Sequence, residues 1–480
     1  MPSKPVIPIV PAETRSDQAV PEVRYESMYQ KRALIYARSV TGWFANWRWV
    51  MVWVTQAFFY GMPWLQWNGR QALLFDLGEQ RFYVLGLVFY PQDFIFLAAL
   101  LVLSALLLFF FTAIAGRLWC GYTCPQTVYT EIFLWLERRI EGDRQARMKL
   151  DQSSWSARKL GLKSAKQAAW LSVALVTGFS FVGYFTPIRT LAVDLLAWQV
   201  SGWNLFWILF YAGATYGNAG YLREQMCKYI CPYARFQSAL IDKDSLIISY
   251  DAARGEPRGA RSRKQAQSQQ ADCIDCTLCV QVCPTGIDIR NGLQNECIAC
   301  AACIDVCDSV MEKVGSPKGL IRYSTENGMR QGWTRRQMFA RVLRPRVLIY
   351  GAALALGSAA FAASVALRSP FLVDVIRDRG TLARMVEQGE IENVYRVQVM
   401  NRTEREQRYQ ILAHGPVPLA VLAPEVKVEP AGIRAVTVSL RMAPTDALKY
   451  PHQSVPISFE VKAMDQSTGL SEKSTFFVPD

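Results

Sequence analysis

Histidine is nearly absent. His414 and His452 are the only two in 480 residues, and both lie far from every apolar run. A membrane segment without histidine cannot ligate a bis-histidine haem, which removes the haem-based quinol enzymes. Cysteine is missing before Cys120 and after Cys307, so no disulfide can brace either end of the chain. Residues 1–46 contain no apolar run but do contain Pro2, Pro5, Pro8, Pro11 and Pro21. They read as a flexible cytosolic arm, and a cleaved signal peptide is excluded because its apolar core would fall much nearer the start. Acidic charge is also in deficit, 40 Asp and Glu against 53 Lys and Arg, for a net charge of +13. In a chain with long apolar runs this excess belongs to cytoplasmic loops rather than to a nucleic-acid partner.

Five apolar runs predict five membrane spans: about 47–65, 94–115, 168–185, 203–219 and 347–367. The first is framed by Trp47, Trp49, Trp53, Trp64 and Trp67, as spans are at their interfacial ends. The third and fourth are short and contain glycines suited to close helix contact. Positive charge sets the sidedness. The 116–167 loop holds ten Lys or Arg against five acidic residues, whereas 66–90 has only Arg70 and Arg81 and 186–202 only Arg189. The arm and the cysteine-rich stretch are therefore expected in the cytosol, and residues after 367 in the periplasm of a two-membrane bacterium. Thr334-Arg335-Arg336-Gln337-Met338-Phe339 has the form of a twin-arginine export signal. Ordinary juxtamembrane basic residues account for it better, since nothing after it binds a cofactor that must be exported folded.

Eight of the twelve cysteines fall between Cys273 and Cys307, as two runs of C-x2-C-x2-C-x3-C. This is the bacterial ferredoxin spacing for two iron–sulfur clusters, in which the fourth cysteine of each run ligates the other cluster. Cys273, Cys276, Cys279 and Cys307 are thus predicted to hold one 4Fe–4S cluster, and Cys297, Cys300, Cys303 and Cys283 the other. Pro284 follows the first fourth cysteine, but Asp308 stands at the equivalent place after Cys307. Zinc sites favour paired knuckles in separated halves, and disulfides need an oxidising compartment. Neither suits this stretch.

The other four cysteines form their own repeat, Cys120-x3-Cys124-Pro125 and Cys227-x3-Cys231-Pro232, each just past an even-numbered apolar run. On a helix, i and i+4 would set both thiols on one face, and the proline marks a change of direction. Four sulfurs, with Met226 beside them, could converge on one site at the cytosolic membrane surface. Soft thiolates favour Cu(I) over Cu(II), so such a site would ease copper reduction. A third iron–sulfur centre and a redox disulfide pair are open alternatives.

Beyond the predicted fifth span the period changes to two. Tyr395, Val397 and Val399 alternate with polar residues, as do Val436, Val438 and Leu440, and Ile457, Phe459, Val461 and Ala463. This predicts an immunoglobulin-like sandwich over 368–480. The domains expected in order are the arm 1–46, a four-span membrane domain 47–250, a linker 251–271, a ferredoxin-like domain 272–333, a juxtamembrane segment with the fifth span 334–367, and the sandwich.

With these motifs in place, the chain resembles the cytochrome c oxidase accessory protein family known as CcoG, FixG or RdxA. The resemblance rests on the five runs, both C-x3-C-P repeats, C-V-Q-V-C-P-T-G-I-D-I-R-N-G-L-Q with E-C-I-A-C-A-A-C-I-D-V-C, and the β-rich end. It implies a multi-pass inner-membrane protein that assists assembly of cbb3-type cytochrome oxidase by reducing Cu(II) to Cu(I). Oxidase assembly factors or copper chaperones would be its partners, with an electron donor that the sequence does not identify. The rivals are a quinol dehydrogenase of the membrane polyferredoxin type and a non-enzymatic assembly scaffold.

Overall fold

A computed structural model describes residues 34–259 and 271–479, apart from residue 379 and residues 381–382, 387–388, 423–424 and 465–467. Most of the expected arm and the basic part of the expected linker lie outside the described residues. The larger compact unit is Tyr36–Asp480.

The apolar runs fold as helices: α1 (Trp43–Gly61), α2 (Phe94–Ala115), then the short α3 (Leu118–Tyr122), α4 (Pro125–Glu141), α5 (Arg144–Gln152) and the long α6 (Ala157–Val182). α7 (Gly202–Thr215) winds into wider π-helical turns at Tyr216–Leu222 and again at Met226–Ile230, before α8 (Pro232–Leu240). Farther along come α9 (Ala302–Val314) and α10 (Pro345–Ala366). Among the described residues, three helices are long and apolar enough to cross a membrane: α2 with its lead-in from Pro91, α6 and α10. The first and fourth expected spans are helical but fall outside that group. α1 carries Arg48 among its tryptophans, and α7 is only 14 residues long before its backbone widens.

α6 lies against α7 at Gly178, where a β-carbon would run into the backbone of Ile208 and Ala212. Such close approach is what small residues permit between membrane helices. α4 packs on α6 through Phe133 stacked on Trp170, ring centroids 5.2 Å apart. At one end of this pair, buried Glu137 accepts from Arg147 at 2.7 Å and Arg223 at 2.6 Å, while Glu141 faces Lys163 and Lys166, each at 3.1 Å. Charges so buried are tolerated only because each has partners.

Between α1 and α2 the chain makes a three-stranded antiparallel sheet, β1 (Leu73–Asp76), β2 (Arg81–Val84) and β3 (Leu87–Phe89). The cysteine-rich stretch is closed by a two-stranded ribbon, β4 (Ile247–Tyr250) with β5 (Ile321–Ser324), antiparallel with Ile247 opposite Ser324. β4 lies in the segment that the sequence assigns to the end of the membrane domain, so the ferredoxin-like unit takes its first strand from before the linker.

The C-terminal region is a sandwich of two antiparallel sheets. One has the order β9 (Leu419–Leu422), β11 (Ile433–Met442), β7 (Ile391–Asn401), β6 (Phe371–Arg377), and the short strand Arg384–Met385 also pairs with β7. The other has the order β10 (Val426–Val428), β8 (Gln407–His414), β12 (Ser454–Ala463), β13 (Gly469–Phe477). The alternating residues named from sequence meet in its core, where Tyr395, Val397, Val399, Val438, Leu440, Phe459 and Val461 are fully buried.

Sandwich and ferredoxin-like stretch hold opposite ends of the helices. The start of α1 meets Asp305 of α9, whose carboxylate accepts from the N–H groups of Phe44 and Ala45 at 3.2 and 2.7 Å. Beyond the other end of α1, Arg70 pairs with Glu404 of the sandwich at 2.7 Å. The start of α2 meets Arg402 through Asp93, and the far end of α2 meets β4 through the Leu246 N–H bond to Ile114.

Candidate functional site

The two cysteine runs share a backbone habit. Asp275 and Thr277 flank Cys276 with φ of 53° and 55°, and Ala299 and Ala301 flank Cys300 with φ of 54° and 60°. Left-handed non-glycine residues are uncommon and cost energy. Here they come in matched pairs around the middle cysteine of each triplet, turning the chain around a hollow. Two hollows result. One is lined by Cys273, Cys276, Cys279 and Cys307 with Arg290, Leu278, Met311 and Ile321. The other is lined by Cys279, Cys283, Cys297, Cys300 and Cys303. Cys307 lies with the first run and Cys283 with the second, while Cys279 lines both hollows.

None of the twelve cysteines is paired in a disulfide. Among the described residues no three His, Cys, Asp or Glu side chains close on a position for a single metal ion. A cubane holds its four sulfurs apart, as cysteines spread around a hollow do. Burial pushes the Cys279 thiol up to about 11 and those of Cys297 and Cys307 up to about 12. Cys303 is driven up further, by burial and then by Cys300 and Cys297. Thiols so placed become thiolates only when a bound cation compensates them. The residues present therefore fit two 4Fe–4S clusters, and each would supply one-electron exchange when bound.

The C-x3-C-P motifs depart from the helical-face expectation. Cys120 is in α3 and Cys227 in the π-helical turn, but Cys124 and Cys231 are extended, with ψ of 127° and 113°. Each begins the next helix, with its proline in the first turn. Pro Cδ disfavours the helical region for the residue before it, so the proline splits the pair between two helices. The repeat extends farther than the sequence reading took it. Four residues before each first cysteine stands a residue of positive φ, Gly116 at 53° with ψ −119° and Arg223 at 40° with ψ −113°. Gly116 is required on two counts, since a β-carbon would also lie 2.7 Å from the Leu246 carbonyl oxygen. Arg223 tolerates the same turn with its guanidinium fixed by the Gly220 carbonyl at 2.8 Å and by Glu137.

The two motifs meet. Burial and the neighbouring Cys124 push Cys120 up to about 11, while Cys227 rises to about 12 through burial and the proximity of Cys124, Cys120 and Cys231. Cys120 Sγ also donates to Gln237 Oε1 at 3.4 Å. The four thiols form one neighbourhood without closing on a single-ion position. That neighbourhood leans on the second hollow: Cys120 and Cys227 pack against Ile298, Cys300 and Val282. At Gly121 a β-carbon would stand 2.7 Å from the Ile298 carbonyl oxygen and 2.8 Å from that of Ala299. The residue inside the first motif is thus pressed on the backbone between Cys297 and Cys300.

The chain matches known families in three places. Residues 222–326 match a 4Fe–4S dicluster domain, 97–142 a 4Fe–4S binding domain, and 361–479 the immunoglobulin-like fold at the C-terminus of FixG. Protein RdxB of Cereibacter sphaeroides is 40% identical over 410 residues, 84% of this chain and 86% of its own length. The chain belongs to the FixG–RdxA family. RdxA of the same organism is 38% identical, covering 81% of this chain and 84% of its own. The nitrogen fixation protein FixG of Rhizobium meliloti is 35% identical, covering 81% and 80%. As a FixG–RdxA protein the chain is a membrane ferredoxin with an iron–sulfur electron-transfer role.

Sequence reasoning missed Arg48, Arg117, Gly121, Asp305 and Glu137. Only Arg48 had a local signal, a lone cation inside W-R-W-V-M-V-W.

Proposed function

We propose that this FixG–RdxA protein is a cupric reductase of the bacterial inner membrane. Cys120, Cys124, Cys227 and Cys231 bind copper as substrate, and the Cu(I) formed serves assembly of a cbb3-type cytochrome oxidase. The net step is one electron from a low-potential reductant to Cu(II), giving Cu(I), with no bond made or broken in the protein. The observation that carries this reading is the seating of Gly121 on the Ile298–Ala299 backbone, which goes with the packing of Cys120 and Cys227, two of the four soft thiols, against the wall of the second hollow. Thiolate donors stabilise Cu(I) more than Cu(II), so the site itself favours the reduced product. The chain's other contributions are to bury the hollow, exclude water from it and hold the four thiols together.

The test uses the full-length, cluster-loaded protein reduced with dithionite and freed of excess reductant, then mixed with Cu(II) and a Cu(I)-specific chelator. Replacing Cys120 and Cys124 by Ser together should abolish Cu(I) release and leave the cluster spectrum intact. Release at the unaltered rate would sink the reading. A second reading has its own support, because the 4Fe–4S binding match over 97–142 encloses Cys120 and Cys124. Under it the four thiols hold a third cluster, and iron analysis would return about twelve irons rather than about eight.

The loop charges further support a cytosolic ferredoxin-like stretch and a periplasmic sandwich. Labelling of a cysteine introduced at Lys473 by an impermeant reagent, in cells with a permeable outer membrane, should be prompt. Protection there would reverse the orientation.

A further inference from the structure

The two cysteine-lined hollows sit in opposite electrostatic surroundings. Beside the first, Arg290 is engaged by Asp288 at 2.7 Å and by Asp275, and Asp308 adds another negative charge next to Cys307. Carboxylates outnumber cations there. Beside the second are two arginines, Arg48 and Arg117, each 7% exposed. Arg48 lines a cavity together with Cys300 and Cys227, and Arg117 lines one with Cys297. Arg117 donates to the carbonyls of Asn295 and Ala234, the latter at 2.7 Å, so its hydrogen bonds leave its charge uncancelled. Arg48 Nε has no hydrogen-bond partner. Three carboxylates lie beside Arg48. Glu131 and Glu224 line the same cavity together with a further cation, Arg223; Glu131 is shared with Arg138 at 3.1 Å, and Asp305 is occupied by the first N–H groups of α1.

We infer that Arg48 and Arg117 set the direction of electron movement. They make the set Cys283, Cys297, Cys300 and Cys303 the easier one to reduce. An electron delivered at the first set, where Cys276 is exposed, then comes to rest beside Cys120 and Cys227. An added electron is an added negative charge. A cation a side chain away, at an effective dielectric near 20, favours it by about tenfold or more. The step moves one electron from a low-potential one-electron reductant, which is oxidised, and transfers no proton or group. Arg48 and Arg117 touch no reacting atom and act as positioning residues through charge.

The inference rests on the proposed electron path but is tested without copper, so its failure and the failure of copper reduction are separate results. The full-length protein, loaded with iron and sulfide, is titrated anaerobically and followed by electron paramagnetic resonance. Arg48→Gln should lower the midpoint of one centre, the one that survives in Cys276→Ser. The electron's partition between the centres should change at least tenfold, about 59 mV for a one-electron couple. Arg48→Lys, which keeps the charge, should restore the midpoint, and Arg117→Gln should act in the same direction as Arg48→Gln. Unchanged midpoints at full iron content, or a shift confined to the other centre, would overturn the inference. Should Arg48→Gln fail to hold iron, Glu131→Gln decides. Removing that carboxylate should raise the midpoint that Arg48→Gln lowers, and no rise counts against the proposal.

Discussion

At one end of the helices the chain is joined largely through main-chain contacts; at the other it is joined through side chains, buried charge among them. Gly121 meets the Ile298 and Ala299 carbonyls, and Gly116 meets that of Leu246. The sandwich end instead is joined by Arg402 with Asp93, Arg70 with Glu404, the Tyr90 hydroxyl donating to the Asn401 carbonyl at 2.8 Å, and Val88 and Tyr90 packed with Met400 and Ala431. Backbone contact leaves no side-chain rotamers to relax, which suits a joint across which electrons must always find the same separation. Side-chain ion pairs tolerate small movement and respond to mutation through charge. The contrast divides the molecule into a redox end seated on main chain and a β end fastened by side chains.

The largest effect is expected at the charged joint. Arg402 and Asp93 side chains are 6% and 5% exposed, and breaking a buried pair by removing one partner costs about 3–5 kcal/mol because the other charge is stranded. Arg402→Met should lower the stability of the sandwich's seat by that order. It should be read as loss of hydrogen-exchange protection in peptides covering Phe371–Arg377 and Ile391–Asn401. Adding Asp93→Asn to Arg402→Met should recover part of the loss. No recovery in the double variant would mean that packing, not charge, holds that end, and charge would drop out of the contrast.

How far each end was legible from sequence follows the same division. The ligand sets could be read because cubane geometry restricts cysteine spacing to a local pattern, and the sandwich strands because burial alternates along each strand. The membrane helices were legible as positions, although α1 and α7 lack the length or apolarity that would settle them as spans. What could not be read is what lies between elements distant in sequence. Nothing local marks Gly121, one of the unspecified residues of C-x3-C, or Arg117, one of ten basic residues in 116–167, as a neighbour of the second hollow. The helical-face expectation for Cys120 and Cys124 failed for a local reason that was available, since Pro125 pulls Cys124 out of the helix.

An intermediate effect is expected at the backbone joint. Gly121→Val places branched carbons where even a β-carbon would stand under 3 Å from three backbone atoms. Overpacking costs about 1–3 kcal/mol where side chains can yield, and these neighbours are main chain. Iron content should hold, because no ligand is lost. Electron delivery to the membrane thiols should fall, seen as slower copper reduction after dithionite reduction of the clusters. Gly121→Ala should show the same change in smaller degree. A Gly121→Val protein with normal delivery would show that the close approach has no bearing on the redox joint.

The smallest effect separates charge within the sandwich from charge at its seat. Glu392 on β7 is 2% exposed and accepts from Arg384 at 2.9 Å, and that bond holds its carboxyl below the usual carboxylate range despite burial. A carboxyl with a depressed folded pKa binds its proton less readily folded than unfolded. Its stabilisation is therefore complete above the unfolded value of about 4.3 and is lost as pH falls through the folded value. Exchange protection of Ile391–Asn401 should be flat from neutral pH down to about 5 and decline below about 4. Glu392→Gln should start lower at neutral pH and lose that acid step, while the Arg402 seat keeps its own response. Equal acid sensitivity in Glu392→Gln and the parent would place the titrating group elsewhere and separate the acid response from this ion pair.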